Sequence, residues 1–224
     1  MIIRYLGHSA FEFEHSGKKI LIDPFLVSYP EYKPENISNI FVTHGHGDHL
    51  GSAIEISKMT NAPITAIFEL ANYCKQNGAN TIDIGLGSWQ EYDWGKVIAT
   101  PAFHSNSTPD GKYGGCPCGF VFKIDDITLF HAGDTCLNTE MKVVGEIYQP
   151  DIVMLPIGGK YTMDIEHATI AAEWLQATVV IPMHYNTFDA IKVDIEEFKR
   201  QIKDIGKLSA ILPVGKSLDT KYGV

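Results

Sequence analysis

Four short apolar segments of the sequence are each followed within a few residues by a histidine or an aspartate, and this arrangement limits the folds open to the chain. Their β-branched and aromatic residues favour strands. The segments cover residues 39–43, 97–100, 128–130 and 179–181, and the polar residues that follow them are His44, His104, Asp134 and His184. Because ligands at the ends of several strands converge on one edge of a layered α/β protein, we predict a polar site assembled at strand ends.

The turn after the first segment, FVTHGHGDHLG, places three histidines and an aspartate within six positions. His44, His46, Asp48 and His49 supply imidazole and carboxylate groups, which are ligands of zinc and of neighbouring divalent metals. His44 and His46 are two residues apart, so an extended chain points both in the same direction, and the glycines between them allow a tight turn. One turn cannot complete the coordination of two ions, so we expect further ligands from the other strand ends.

The remaining histidines and the cysteines are less favoured as metal ligands. His8 follows the first predicted strand and could reach the same edge, so its role, supporting a ligand or not, is left open, while Asp23 is expected either to orient a ligand or to cap a turn. We interpret Cys116 and Cys118 as small loop residues, because two thiols without nearby partners seldom form a metal site. The histidines interpreted as surface or supporting residues are His15, His131 and His167.

Composition narrows the class of protein further. The chain has 224 residues, of which 45% are hydrophobic and 20% charged, which is typical of one globular domain over residues 1–224. The formal charge of −9 argues against a nucleic-acid partner. No apolar run is long enough for a membrane span, and the four cysteines do not form a disulfide framework, so we expect a cytoplasmic protein. Whether the chain forms homo-oligomers is left open.

Helical patterns alternate with the strand segments. Apolar spacing predicts helices over residues 50–60, 68–77, 139–148 and 166–175, and a capped helix over residues 194–206. One loop, residues 105–118, is long and rich in glycine, proline and small polar residues. Loops of this length are usually functional or disordered, and this one begins directly after His104, so we predict a lid or specificity loop.

The ordered set of the His44 turn, His104, Asp134 and His184 resembles the ligand set of the metallo-β-lactamase fold superfamily. The motifs Leu-Gly-His-Ser, Ile-Asp-Pro-Phe, His-Ala-Gly-Asp-Thr, Leu-Pro-Ile-Gly-Gly and Pro-Met-His-Tyr-Asn extend the resemblance to most of the chain. They are similar to a prokaryotic branch of metal-dependent hydrolases related to ascorbate-6-phosphate lactonase and to the phospholipase D that cleaves N-acyl-phosphatidylethanolamine. One departure is His167, where relatives in this branch usually carry an acidic residue.

This resemblance implies an α/β fold, a four-layer αββα sandwich of two mixed β-sheets. It also implies two divalent metal ions, for which zinc is favoured and manganese, iron, nickel and cobalt are alternatives. Carried over residue by residue, one ion takes His44, His46 and His104, and the other takes Asp48, His49 and His184. Asp134 is then the bridge between them. An aspartate at the bridging position disfavours cleavage of β-lactam antibiotics.

The function implied is that of a metal-dependent hydrolase, in which a hydroxide held between the two ions attacks a small ester-like substrate, a lactone or a phosphodiester. Asp48 and Asp134 are the expected catalytic carboxylates, with Asp48 receiving or returning a proton. The alternative from a different class is a non-catalytic, metal-dependent binding or scaffold protein on the same fold. The complete ligand set weighs against that alternative, because loss of chemistry usually leaves gaps in the set.

Overall fold

Two seven-stranded mixed sheets, each carrying helices, organise the computed structural model, which describes residues 1–223 and the side chains as far as Lys221. The predicted α/β class with two mixed sheets is confirmed. Each sheet belongs to its own compact unit. The first unit comprises residues 1–88, 105–117 and 212–223, and the second comprises residues 89–104 and 118–211.

The elements are numbered in chain order. The strands are β1 (Ile2–Gly7), β2 (Ala10–His15), β3 (Lys18–Ile22), β4 (Ile37–Phe41), β5 (Ile64–Ile67), β6 (Thr81–Ile84), β7 (Trp89–Tyr92), β8 (Gly95–Pro101), β9 (Cys118–Ile124), β10 (Ile127–His131), β11 (Ile152–Pro156), β12 (Val179–Met183), β13 (Leu208–Ser209) and β14 (Ser217–Asp219). The helices are α1 (Gly47–Leu50), α2 (Ala53–Thr60), α3 (Phe68–Gln76), α4 (Glu140–Tyr148), α5 (Ile165–Leu175), α6 (Ile195–Asp204) and α7 (Thr220–Gly223), with 3₁₀ turns at Leu26–Ser28 and Asp189–Ile191.

The sheet of the first unit has the strand order β14-β1-β2-β3-β4-β5-β6. Strands β14 to β3 are antiparallel neighbours, whereas β3 to β6 run parallel. A 3₁₀ turn lies between β3 and β4, α1 and α2 lie between β4 and β5, and α3 lies between β5 and β6. Period-two alternation places Phe11 and Phe13 on one face of β2 and the charged Glu12 on the other, and all three are fully buried. Helices α2 and α3 pack on the parallel half of the sheet.

The sheet of the second unit has the order β13-β12-β11-β10-β9-β8-β7. Strands β10 to β13 are parallel, and every residue of β11 and β12 is buried, as is usual for parallel strands covered on both faces. Strands β8 and β9 add to β10 in antiparallel fashion, so β8, β10 and β12 point the same way and end at the same sheet edge. Helices α4, α5 and α6 pack in this unit.

The helix predicted over residues 50–60 begins three residues later, as α2, and Gly51 lies between it and the short helix α1. Gly51 has a φ of 45°, and a Cβ at this position would lie 2.4 Å from the carbonyl oxygen of Pro24. The close approach of another backbone therefore breaks the apolar periodicity of this segment. The other predicted helices agree with α3 to α6 within two residues at either end.

Within residues 1–223, the structure contains no helix of the length and apolar character that crossing a bilayer requires.

Candidate metal centre

The cluster of the first unit lies where β4 runs into α1. The chain leaves β4 at Phe41, and His46 forms the N-cap of α1 with an extended backbone, so that His44 and His46 precede the helix while Asp48 and His49 belong to it. His44 and His49 are fully buried. The helix brings the four predicted ligands of this turn together, as the sequence indicated.

Asp23 holds two of these histidines through one carboxylate. Its Oδ2 atom lies 2.7 Å from Nδ1 of His49 and accepts a hydrogen bond of 2.7 Å from the hydroxyl of Thr43, while Oδ1 accepts from the Thr43 N–H at 2.8 Å. The Thr43 oxygen lies in turn 3.1 Å from Nδ1 of His44. Because the Thr43 hydroxyl donates its hydrogen to the Asp23 carboxylate, its oxygen accepts a hydrogen bond from Nδ1 of His44. Nδ1 of His49 donates to the carboxylate directly, so Nε2 of each ring carries the lone pair. Of the two roles predicted for Asp23, the structure shows the orienting one.

His8 supports the opposite side of the turn. Its Nε2 atom lies 3.1 Å from Oδ2 of Asp48, and its ring packs edge-on against Phe25 and His49, with centroids 5.6 and 5.7 Å away. The side chain of His8 is fully buried, whereas that of Asp48 is 30% exposed. His8 therefore contacts the Asp48 carboxylate, and Asp48 keeps contact with solvent.

The donor atoms of this unit fall at spacings that suit metal coordination. One ligand atom from each of His8, Asp48 and His49 lies within 4.8 Å of the others, and the same limit holds for His44 with His46 and for His44 with His49. The Nε2 atom of His44 lies 3.0 Å from Nδ1 of His46. Imidazole nitrogens and carboxylate oxygens are the donors that divalent transition metals prefer, so these residues fit such an ion.

The second unit has its own cluster at the ends of β8, β10 and β12. Oδ2 of Asp134 lies 3.0 Å from Nε2 of His184 and 3.6 Å from Nε2 of His104. Asp134 and His184 are almost fully buried and His104 is about one-tenth exposed. The strand directions place all three at one sheet edge. A single carboxylate that faces two imidazoles again matches the donor set of a divalent metal.

Three histidines lie outside these clusters. His15 is the half-buried last residue of β2, next to the exposed turn at Ser16, and His167 is exposed at the start of α5, where its Nδ1 faces Asp164 at 3.3 Å. His131 is buried at the end of β10, and its Nδ1 accepts a hydrogen bond from the Gly133 N–H at 3.2 Å. The exposure of His167 agrees with its predicted surface position, and the supporting role of His131 stays a prediction.

Asn106 is a residue of the site that sequence reasoning missed. Its Oδ1 atom accepts a hydrogen bond of 2.8 Å from the N–H of Gly45, and its amide nitrogen donates to the carbonyls of Gly114 and Gly115 at 2.9 and 3.0 Å. Asn106 therefore joins both ends of the 105–117 loop to the ligand turn. A Cβ at Gly45 would lie 2.8 Å from the carbonyl oxygen of Ser107, so a larger residue there would push this loop away. An asparagine two residues after a predicted ligand was the only signal.

Comparison with known proteins identifies the family. Residues 2–184 match the family described as a beta-lactamase superfamily domain. A UPF0173 metal-dependent hydrolase of Bacillus cereus is 43% identical, and the match covers 97% of this chain and 99% of that protein. A UPF0173 metal-dependent hydrolase of Staphylothermus marinus is 46% identical, over 90% of this chain and 91% of its own length.

A solved structure shows the same relationship. Igni18, described as a novel metallo hydrolase from the hyperthermophilic archaeon Ignicoccus hospitalis KIN4/I, superimposes with a TM-score of 0.88 at 36% identity, and the match covers 97% of each chain. The chain is therefore a metal-dependent hydrolase that belongs to the UPF0173 group of the metallo-β-lactamase superfamily.

Proposed function

We propose that this hydrolase uses two divalent metal ions to cleave a small ester-like substrate, a lactone or a phosphodiester. The observation that carries the proposal is the Asp23–Thr43 arrangement, because it fixes Nδ1 of His44 and of His49 as donors and leaves Nε2 of each as the metal-binding atom. In structural and catalytic sites alike, such outer hydrogen bonds set the tautomer and the orientation of ligating histidines.

The ligand assignment extends the resemblance to each cluster. His44, His46 and His104 are proposed for one ion, and Asp48, His49 and His184 for the other, with Asp134 as the shared ligand. Zinc suits this donor set best, and manganese, iron, cobalt and nickel are alternatives that share its ligand preferences. The proposal treats residues 1–224 as one hydrolase domain.

The chemistry that such ions supply is Lewis-acid activation of a water molecule and of the scissile carbonyl or phosphoryl group. Protein side chains then have to accept and donate the protons of the reaction. Asp48 is the proposed proton acceptor and donor, because its carboxylate is both fixed by His8 and partly open to solvent. General acid–base catalysis of this kind contributes typically 10² to 10⁴ in rate. Asp134, nearly buried beside His104 and His184, is proposed to share its charge between the ions.

The charge of the chain supports a small substrate rather than a polyanion. A formal charge of −9 opposes the long-range attraction of a nucleic-acid backbone. A small carboxylic ester or lactone is neutral and a small phosphodiester carries a single negative charge, so either is repelled far less than a polyanion. The preferred substrate class is therefore a small molecule, and the cytoplasm is the proposed compartment.

The test combines metal content with turnover. Protein purified without added metal is analysed for its metal content per chain, and a panel of lactones and phosphodiesters is assayed with the wild type and with two variants. We expect Asp134→Asn to lose metal and activity together, and Asp48→Asn to lose activity while it keeps most of its metal. If both variants retain two ions per chain and near-full turnover, the assigned roles are wrong.

A further inference from the structure

A cavity of about 480 Å³ lies in the first unit beside the ligand turn. One wall is formed by Phe25, Leu26, Val27 and Pro30, which follow the Asp23 turn, and the opposite side is formed by the backbone of α1 and of the segment after it, including Gly47. This volume falls within the range of small-molecule sites in proteins, roughly 300–1,000 Å³. None of the residues that line it is charged.

The apolar wall is fixed to the ligand turn. The N–H of Ser52 donates a hydrogen bond of 3.0 Å to the carbonyl of Pro24, and Gly51 approaches Pro24 and Phe25 so closely that any side chain at its position would clash. Further along, the hydroxyl of Tyr32 donates to the buried carboxylate of Glu12. The wall is thus held at both ends, and the cavity exists before any ligand arrives.

The apolar side chains of the wall are costly to leave in water. Val27 is 66% exposed, although it belongs to a segment that is anchored on both sides. Burial of apolar surface is favourable by roughly 25 cal/mol per Å², so a hydrocarbon group that covers Val27 would be stabilised there. The lining presents hydrocarbon side chains on one side, and Gly47, Gly51 and Ser52 on the other.

The cavity adjoins the residues proposed for the reaction. Gly47, which lies between His46 and Asp48, is exposed, and a Cβ added to it would meet no atom within 4 Å. The ring of Phe25 packs edge-on against His8, which is hydrogen bonded to Asp48. The cavity is therefore lined by a residue between two of the predicted ligands and by the ring that contacts His8.

We propose that this cavity binds an aliphatic chain of the substrate, so that the natural substrate is an ester or lactone with an unbranched alkyl or acyl substituent of medium length. This inference rests on the proposed ester-cleaving function and specifies its substrate. Val27 and Phe25 are then residues that determine chain-length specificity, and they take no part in proton transfer.

The first experiment measures kcat/KM for a series of nitrophenyl esters from acetate through butyrate, hexanoate and octanoate, below the concentrations at which they form micelles. Each methylene that enters the cavity should raise kcat/KM about fourfold, which corresponds to ~0.8 kcal/mol per buried methylene. In Val27→Asp this dependence should flatten while turnover of the acetate ester stays near that of the wild type. Val143→Asp, a change at an exposed valine of α4, is the matched control and should keep the wild-type dependence.

The second experiment measures binding without turnover. Calorimetric titration compares octanoate with acetate, which carry the same carboxylate, so any affinity of that group for a metal cancels. We expect octanoate to bind the wild type at least tenfold more tightly than acetate, and to lose this advantage in Val27→Asp but not in Val143→Asp.

The outcomes separate this inference from the proposed function. Hydrolysis of all esters at the same kcat/KM, together with equal binding of the two carboxylates, would overturn the aliphatic-chain site and leave the hydrolase intact. A preference for octanoate that depends on Val27, without cleavage of any ester, would support the site and count against ester cleavage. Equal effects of Val27→Asp and Val143→Asp would also overturn the assignment of the site.

Discussion

Oδ2 of Asp23 lies 2.7 Å from Nδ1 of His49, and both side chains are completely buried. The same carboxylate accepts two hydrogen bonds from Thr43, so it receives three donors in all. An aspartate directly after β3 thus fixes the orientation of a histidine 26 positions later.

The first prediction concerns Asp23→Asn. An asparagine offers one acceptor oxygen where the carboxylate accepts three donors, so its amide would face at least one donor of Thr43 or His49. We expect metal affinity to fall about 10- to 100-fold, the usual effect of removing an outer partner of a ligating histidine. Competition with a chromogenic chelator measures this. Asp125→Asn is a matched control, because Asp125 also has a positive φ, which asparagine tolerates; an equal affinity in both variants would contradict the role of Asp23.

Removing the metal should lower the melting temperature. Ligands that bind only the folded state stabilise it, by about 2.7 kcal/mol at a free-metal concentration 100 times the dissociation constant. Complete chelation followed by calorimetry is the measurement, and restoring zinc should restore the melting temperature. An unchanged melting curve after all metal has been removed would show that the clusters contribute nothing to folding stability.

Asn106→Ala should release the 105–117 loop. The change removes three hydrogen bonds, each worth about 0.5–1.5 kcal/mol, and so favours opening of the loop by tenfold or more. Lys112 is an exposed lysine within this loop, so limited trypsin digestion should cleave the variant there faster than the wild type. Asn77→Ala, at an exposed asparagine after α3, serves as the control; equal cleavage rates in all three proteins would rule out the tethering role.

Glu12→Gln should destabilise the first unit. The Glu12 carboxylate is fully buried and receives Arg4, the Tyr32 hydroxyl and, at 3.5 Å, Lys19. Removing the charge from a buried pair leaves its partners without compensation and typically costs about 3 kcal/mol or more. The free energy of unfolding in urea measures the effect. Glu14→Gln, two residues along the same strand, should change it by less than about 0.5 kcal/mol, and a similar small loss in Glu12→Gln would contradict the prediction.

Stability should also depend on the Cys74 thiol at alkaline pH. Burial raises the pKa of Cys74 from its ordinary value of 9.0 to about 12. Between these values the unfolded chain releases the proton while the folded chain keeps it, so rising pH favours unfolding. The stabilising contribution is therefore complete below pH 9, and by pH 10 it should have fallen by about 1.4 kcal/mol.

The free energy of unfolding in urea is measured for the wild type and for Cys74→Ala at pH 7 and at pH 10. The difference in free energy of unfolding between the two proteins should shrink from pH 7 to pH 10, because the wild type loses the stabilising contribution of the buried thiol. The values at pH 7, where both states retain the proton, provide the internal reference. A difference that stays constant with pH would show that the thiol of Cys74 does not ionise on unfolding in this range.

The strand-end histidines were predictable because each follows a run of apolar residues whose pattern is local. His44, His104 and His184 needed only the alternation of strand and polar turn to be found. The break at Gly51 was not predictable, because it depends on the approach of Pro24 from 27 positions earlier. The role of Asn106 was not predictable for the same reason. Its side-chain amide is hydrogen bonded to Gly45, Gly114 and Gly115, and such contacts produce no periodic pattern in the sequence.

Strand β14 pairs with β1, so the first sheet is finished by residues that are synthesised long after its other strands. Six strands of that sheet are synthesised by Ile84, and the whole second sheet is made before Ser217 appears. At about 5–20 residues per second, this interval lasts on the order of ten seconds. During this time the outer edge of β1 lacks its β14 partner, and its backbone groups can pair with a strand of a neighbouring chain.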